Sequence, residues 1–103
     1  MAKIVNSNEF RDLSKEGIVV VDFFANWCNP CKELGPVFDE ISGEMEGKAQ
    51  FVKIDVDQSG DIAGENKIMA IPTIIVLKDG EKVETMTGSL NKESIRSNIE
   101  RHL

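Results

Sequence analysis

Cysteine occurs twice in this chain, histidine once, and apolar residues nowhere form a long run. A secreted mini-domain stapled by disulfides needs more than two cysteines, and 103 residues bury enough surface to fold without staples. A structural zinc site takes four ligands. The two cysteines and His102 fall short of that, so a zinc site would need a carboxylate or a second chain to complete it. The run Ile18 to Val21, continued by Phe23 to Ala25 beyond one acid, is far below the roughly 20 residues of a membrane-spanning helix. Lys and Arg number 12 against 18 acids, form no stripe, and leave a net charge of −6. Such a surface repels phosphate backbones and anionic lipid, so neither a nucleic-acid nor a membrane partner is expected. The opening residues Met1 to Asn6 show no apolar signal core and no cleavage site behind them, which makes the cytoplasm the expected location. In that compartment a Cys-x-x-Cys pair calls for a chemical explanation rather than a structural one.

The length corresponds to one domain, residues 1–103. Asn6-Ser7-Asn8-Glu9 reads as a helix start, followed by Phe10, Leu13 and a glycine stop at Gly17. Ile18 to Ala25 is β-branched and aromatic, the pattern of a strand buried on both faces, with Asp22 as its anomaly. From Cys28 to about Glu46, Leu34, Phe38, Ile41 and Met45 recur at helical spacing, with Pro36 inside the pattern and Gly47 closing it. Gln50 to Asp57 alternates as a strand, and Ser59 to Asn66 is a weak helix. Ile74 to Leu77 and Lys82 to Thr87 form a hairpin about Asp79-Gly80. A last helix from Asn91 carries Ile95, Ile99 and Leu103 on one stripe, while Met69 reads as packing and His102 as a frayed terminal residue. Alternating strands and helices closed by a hairpin give an α/β class with a mixed sheet covered on both faces.

Trp27-Cys28-Asn29-Pro30-Cys31-Lys32 joins the C-terminal end of the central strand to the start of the long helix, where open α/β sheets place their active sites. Pro30 suits a first helical turn, which needs no N–H there. Cys28 then lies at the helix N-terminus, whose free N–H groups and positive dipole end stabilise a thiolate, the nucleophile of disulfide exchange. Cys31, one turn further, is within reach of Cys28 and is expected to be the more covered of the two.

The stretch Val21 to Lys32 resembles the active-site region of thioredoxins, and the likeness extends along the chain. Ala70-Ile71-Pro72-Thr73 is similar to that family's cis-proline loop, Lys78-Asp79-Gly80 to its hairpin, and Gly88-Ser89-Leu90 to the glycine segment before its last helix. The resemblance implies a thioredoxin fold, with a central mixed sheet of four to five strands flanked by four helices. It also implies a protein-disulfide reductase. Cys28 would attack a target disulfide, and Cys31 would attack Cys28 to release the reduced target. Asp22, desolvated and with a raised pKa, would move the proton of the second cysteine; the alternative is an Asp on an exposed strand end. Lys53 would partly compensate Asp22, the alternative being a solvent-facing strand lysine. Pro72 would be cis, though from composition alone Ile-Pro-Thr is merely a strand entry. Trp27, Asn29, Pro30, Ile71, Pro72 and Gly88 would face the substrate, with core packing as the competing place for Trp27. The implied partners are a thioredoxin reductase and disulfide-containing target proteins, with no cofactor, no metal and a monomeric chain.

Two positions depart from the commonest form of that family. Asn29 replaces a glycine and brings an amide that either donates to the Cys28 thiolate or points to water. Phe24 stands where many relatives carry a second Trp. Glutaredoxins fit less well, because their usual Cys-Pro-Tyr-Cys contains a residue type this chain lacks entirely. Two readings compete with a general reductase: a specialised relative serving one partner, and a binding module used only for its surface. Replacing both cysteines with serine separates the last, since a pure binder keeps its function.

Overall fold

The alternation of Val19, Val21 and Phe23 with Val20 and Asp22 assigns opposite faces to successive residues of one strand, and the computed structural model follows that parity throughout. It describes residues 2–88 and 90–103; Met1 and Ser89, the latter within the glycine segment noted above, lie outside the described residues. In chain order the elements are β1 (Lys3–Ile4), α1 (Ser7–Leu13), β2 (Ile18–Phe24), α2 (Asn29–Glu44), β3 (Gln50–Asp55), α3 (Gly60–Glu65), β4 (Thr73–Lys78), β5 (Glu81–Thr87) and α4 (Lys92–Glu100). The sheet runs β1-β3-β2-β4-β5. β1, β3 and β2 are mutually parallel, whereas β4 and β5 join antiparallel.

Each face buries its own cluster. Val20, Phe51, Ile74 and Val76 pack against Leu34, Phe38, Ile41 and Met45 of the α2 segment and Ile95 and Ile99 of α4. Val19, Val21, Phe23, Val52, Ile54, Ile75 and Leu77 pack against Phe10 of α1 and Ile62 of α3. The same parity sets Asp22 and its register partner Lys53 on the α2 side of the sheet.

Local chemistry fixes the ends. Asn6 caps α1 by accepting from Glu9 N–H at 2.8 Å while Glu9 Oε1 accepts from Asn6 N–H at 3.0 Å, a reciprocal capping box. Asn6→Ala should therefore lower stability by about 1 kcal/mol, read as a lower urea midpoint at unchanged slope. Asp79 and Gly80 both take positive φ, 50° and 86°, as a two-residue hairpin between right-twisted strands demands. α2 continues through Pro36 rather than ending there.

Several expectations are corrected. α1 ends at Leu13, with Ser14 as its C-cap, so Gly17 does not stop it. Gly17 N–H instead donates to Asp79 Oδ1 at 2.8 Å, pinning the entry to β2 against the hairpin. Leu103 follows the last turn and is half exposed, because α4 ends at Glu100 before the stripe reaches it. His102 is not frayed: it is partly buried, with Nε2 3.2 Å from Glu84 Oε2 on β5. Met69 does not pack in the core: it is 95% exposed. Ile4 ends β1 exposed, and Val5 carries the burial just beyond it.

Candidate active site

β2 delivers its C-terminal end to the middle of the sheet edge, and α2 begins after four intervening residues. Cys28 is the N-cap of α2, with extended backbone (φ −92°, ψ 107°) and its Sγ accepting from Cys31 N–H at 3.3 Å. Asn29 and Pro30 open the first turn, where a missing N–H is no loss. Cys28 and Cys31 are joined as a disulfide with Cα atoms 5.3 Å apart. They form a small cluster with Ala25, against which Phe24, Val56 and Ile71 pack. Phe24 thus serves as packing beside the sulfurs. The expectation that Cys31 is the more covered does not hold in this oxidised state: both residues are 5% exposed, since the ring holds both sulfurs in one apolar niche.

Trp27 is 69% exposed, so it lies on the surface rather than in the core. Its indole N–H donates to Asp57 Oδ2 at 2.8 Å, and Asp57 is itself placed by a turn in which its N–H donates to Asp55 Oδ1 at 2.9 Å. Asp57 escaped the sequence reading because the pairing spans thirty residues. The Ile71–Pro72 peptide is cis, and Thr73 Oγ1 donates to Ala70 O at 2.6 Å across that bend. Between this loop, the first turns of α2 and the segment before α4 lies a cavity of about 530 Å³, lined by Pro30, Glu33, Leu34, Val37, Ile71, Pro72, Gly88, Leu90 and Asn91. Pro30, Ile71, Pro72 and Gly88 were expected at such a surface. Glu33, Leu34, Val37, Leu90 and Asn91 were not, although Glu33 and Val37 lie one turn apart on the helix that starts at the cysteines. Asn29 is exposed, and the hydrogen bond at Cys28 Sγ comes from Cys31 N–H, not from its amide.

A second, smaller cavity of about 180 Å³ opens behind the disulfide, lined by Asp22, Phe24, Cys31, Gly35 and Lys53 among others. Asp22 is 1% exposed, and its Oδ1 has no hydrogen-bond partner among the described residues. Burial pushes its carboxyl up to about 7, while the charge of Lys53 pulls it down and that of Asp39 pushes it up. The Lys53 ammonium, however, pairs with Asp39 Oδ1 at 3.4 Å and not with Asp22. Lys53 compensates Asp22 only through space, and it is neither fully exposed nor in contact with the acid. Among the described residues no group of three or more His, Cys, Asp or Glu is set to hold a metal ion, and no helix is long and apolar enough to cross a membrane.

The sequence model of the family described as Thioredoxin matches residues 1–101. The chain is 44% identical over 103 residues to a thioredoxin of Staphylococcus saprophyticus, covering all of this chain and 98% of that one. It is 48% identical over 90 residues to a thioredoxin of Bacillus subtilis, covering 87% and 86% of the two chains. Among solved structures, Plasmodium falciparum thioredoxin superposes with a TM-score of 0.91 at 36% identity, covering 99% of this chain and 100% of that one.

Proposed function

The chain belongs to the thioredoxin family and is a protein-disulfide reductase, and we propose that its reaction runs through a Cys28-Asn29-Pro30-Cys31 active site with Cys28 as the attacking sulfur. The observation that carries this is the Cys28–Cys31 disulfide at the N-cap of α2, beside the Pro72 loop and backed by buried Asp22. The N-cap position favours a thiolate at Cys28 through the free N–H groups and the positive helix end.

In the forward direction the Cys28 thiolate attacks one sulfur of a target disulfide. A mixed disulfide forms, and the other target sulfur leaves as a thiolate that takes up a proton. Cys31, deprotonated by the Asp22 carboxylate across their shared cavity, then attacks Cys28 Sγ. The Cys28–Cys31 disulfide closes, and the second target sulfur leaves as a thiol. Two electrons pass to the target with two protons, and a thioredoxin reductase returns the couple to the dithiol. Lys53 moderates the charge of Asp22. Trp27, Asn29, Pro30, Ile71, Pro72 and Gly88 form the surface on which an extended target segment lies beside the sulfurs. The chain works as one domain and as a monomer in the cytoplasm.

The reduction potential tests this, measured at equilibrium in graded redox buffers with the fluorescence of Trp27, adjacent to Cys28 and the only tryptophan. The value known for thioredoxin is about −270 mV, and a midpoint near it is expected. A midpoint above about −200 mV would make the protein an oxidant or isomerase and Asn29 the first residue to revert to glycine. The absence of any redox transition would overturn the reading.

A further inference from the structure

Asp22 and Lys53 are register partners on adjacent parallel strands and point to the same face of the sheet. Two opposite charges so placed would be expected to pair. They do not: Lys53 Nζ pairs with Asp39 Oδ1 of α2 at 3.4 Å, and Asp22 Oδ1 is left buried without a partner among the described residues. Asp39 is in turn held from outside, because Ala2 N–H donates to the same Oδ1 at 3.1 Å.

We propose that Asp39 is a positioning residue, which anchors the Lys53 ammonium at the α2 wall of the cavity and so keeps the Asp22 carboxyl free of an ion pair. This rests on the reading of Asp22 as the proton-transfer group. Four elements surround Asp22. β3 contributes Lys53, α2 contributes Asp39, Lys32 and the disulfide-bonded Cys31, while β4 and β1 bring the non-ionisable Ile74 and Ile4. With Asp39 in place the buried acid is left to desolvation, and its proton affinity lies in the working range of a thiol exchanger. Without it, Lys53 is free to turn to Asp22, and a paired carboxylate is a poor proton acceptor.

The test is a carboxyl NMR titration of Asp22 in the oxidised protein. Asp39→Asn, which keeps an oxygen for Ala2 N–H, should lower the Asp22 midpoint by about one pH unit, and Asp39→Glu should restore it. In a Lys53→Met background the same Asp39→Asn change should shift the midpoint by less than half as much, with Lys53→Gln as the substitute if Lys53→Met does not fold. An unchanged midpoint, or an equal shift with and without Lys53, would overturn the proposal, the second by showing only direct repulsion between the two acids. The pH profile of target reduction separates the two ideas. If the midpoint moves and the profile does not follow, the steering by Asp39 stands and the proton-transfer role of Asp22 falls.

Discussion

At pH 8 the oxidised Asp22→Ala variant should withstand urea better than the parent, by about 3 kcal/mol, and at pH 4 the advantage should be gone. The direction follows from proton counting. In the folded chain burial raises the Asp22 carboxyl to about 7 from an ordinary value of 3.8. Between those values the folded state holds a proton that the unfolded state has released. Stability due to this group is therefore fully present below about pH 4, falls as pH rises, and is lost by about pH 7. Each pKa unit corresponds to about 1.4 kcal/mol, which sets a ceiling of about 4 kcal/mol. Truncation to alanine gives back part of the gain by leaving unfilled space beside Phe24 and Cys31. The parent-minus-variant difference isolates Asp22, because Glu9, Glu44, Asp61 and Glu84, whose pairing lowers their pKa, titrate alike in both proteins. Urea unfolding of both at several pH values between 4 and 8 decides it. Parallel curves would mean that Asp22 ionises in the folded state as it does in the unfolded one. The expected result identifies a residue that weakens the fold at neutral pH, as a carboxyl maintained for chemistry would.

That Asp22 would be buried was readable from the sequence; its company came from the structure. A strand apolar at nearly every position, as Ile18 to Ala25 is, must be covered on both faces. Two-residue periodicity then puts Asp22 on the side of Val20, and the α2 stripe Leu34, Phe38, Ile41 and Met45 matches that face. The Asp-Gly hairpin, the Asn6 cap and the place of Cys28 at a helix start are equally local, each fixed by residues within one turn of chain. The failures share the opposite property. His102 meets Glu84 18 residues away, Trp27 meets Asp57 at 30, and Gly17 meets Asp79 at 62. Lys53 and Asp39 meet between a strand and a helix whose relative rotation no periodicity specifies closely enough to choose one acid over another. Leu103 keeps perfect helical spacing but has no helix left to occupy, since backbone termination and not hydrophobic pattern sets the end of α4. Met69 looks like core by composition and is exposed because the loop ahead of Pro72 carries it away from both clusters. Equal burial of the two cysteines follows from the covalent bond between them, which the spacing permits but does not impose.

The largest expected effect is the asymmetry between the two cysteines. With a disulfide-containing protein as target, Cys31→Ser should accumulate a covalent complex, seen as a band that thiol reductant dissolves, whereas Cys28→Ser should form none. Both variants should lose turnover by about 10³-fold or more, since the two sulfurs act as a unit. The reason lies in where each atom sits. Cys28 Sγ occupies the N-cap, receives the Cys31 N–H and stands against the positive end of a 16-residue helix, all of which stabilise its anion. Cys31 Sγ is one turn inside the helix, bordering the cavity that holds Asp22, where loss of a proton needs a local base. The N-cap position thus favours the anion of the first sulfur, and under the proposed mechanism the second becomes nucleophilic only to resolve the complex. Serine at 31 removes the resolving nucleophile and leaves the mixed disulfide stranded; serine at 28 removes the attacking one and leaves a thiol without the N-cap position or its N–H donor. A complex trapped by Cys28→Ser and not by Cys31→Ser would reverse the assignment. Asp22→Ala provides an internal check: added to an otherwise unaltered pair, it should slow release of the reduced target without slowing the first attack, so the mixed disulfide should become detectable in a protein that retains both cysteines.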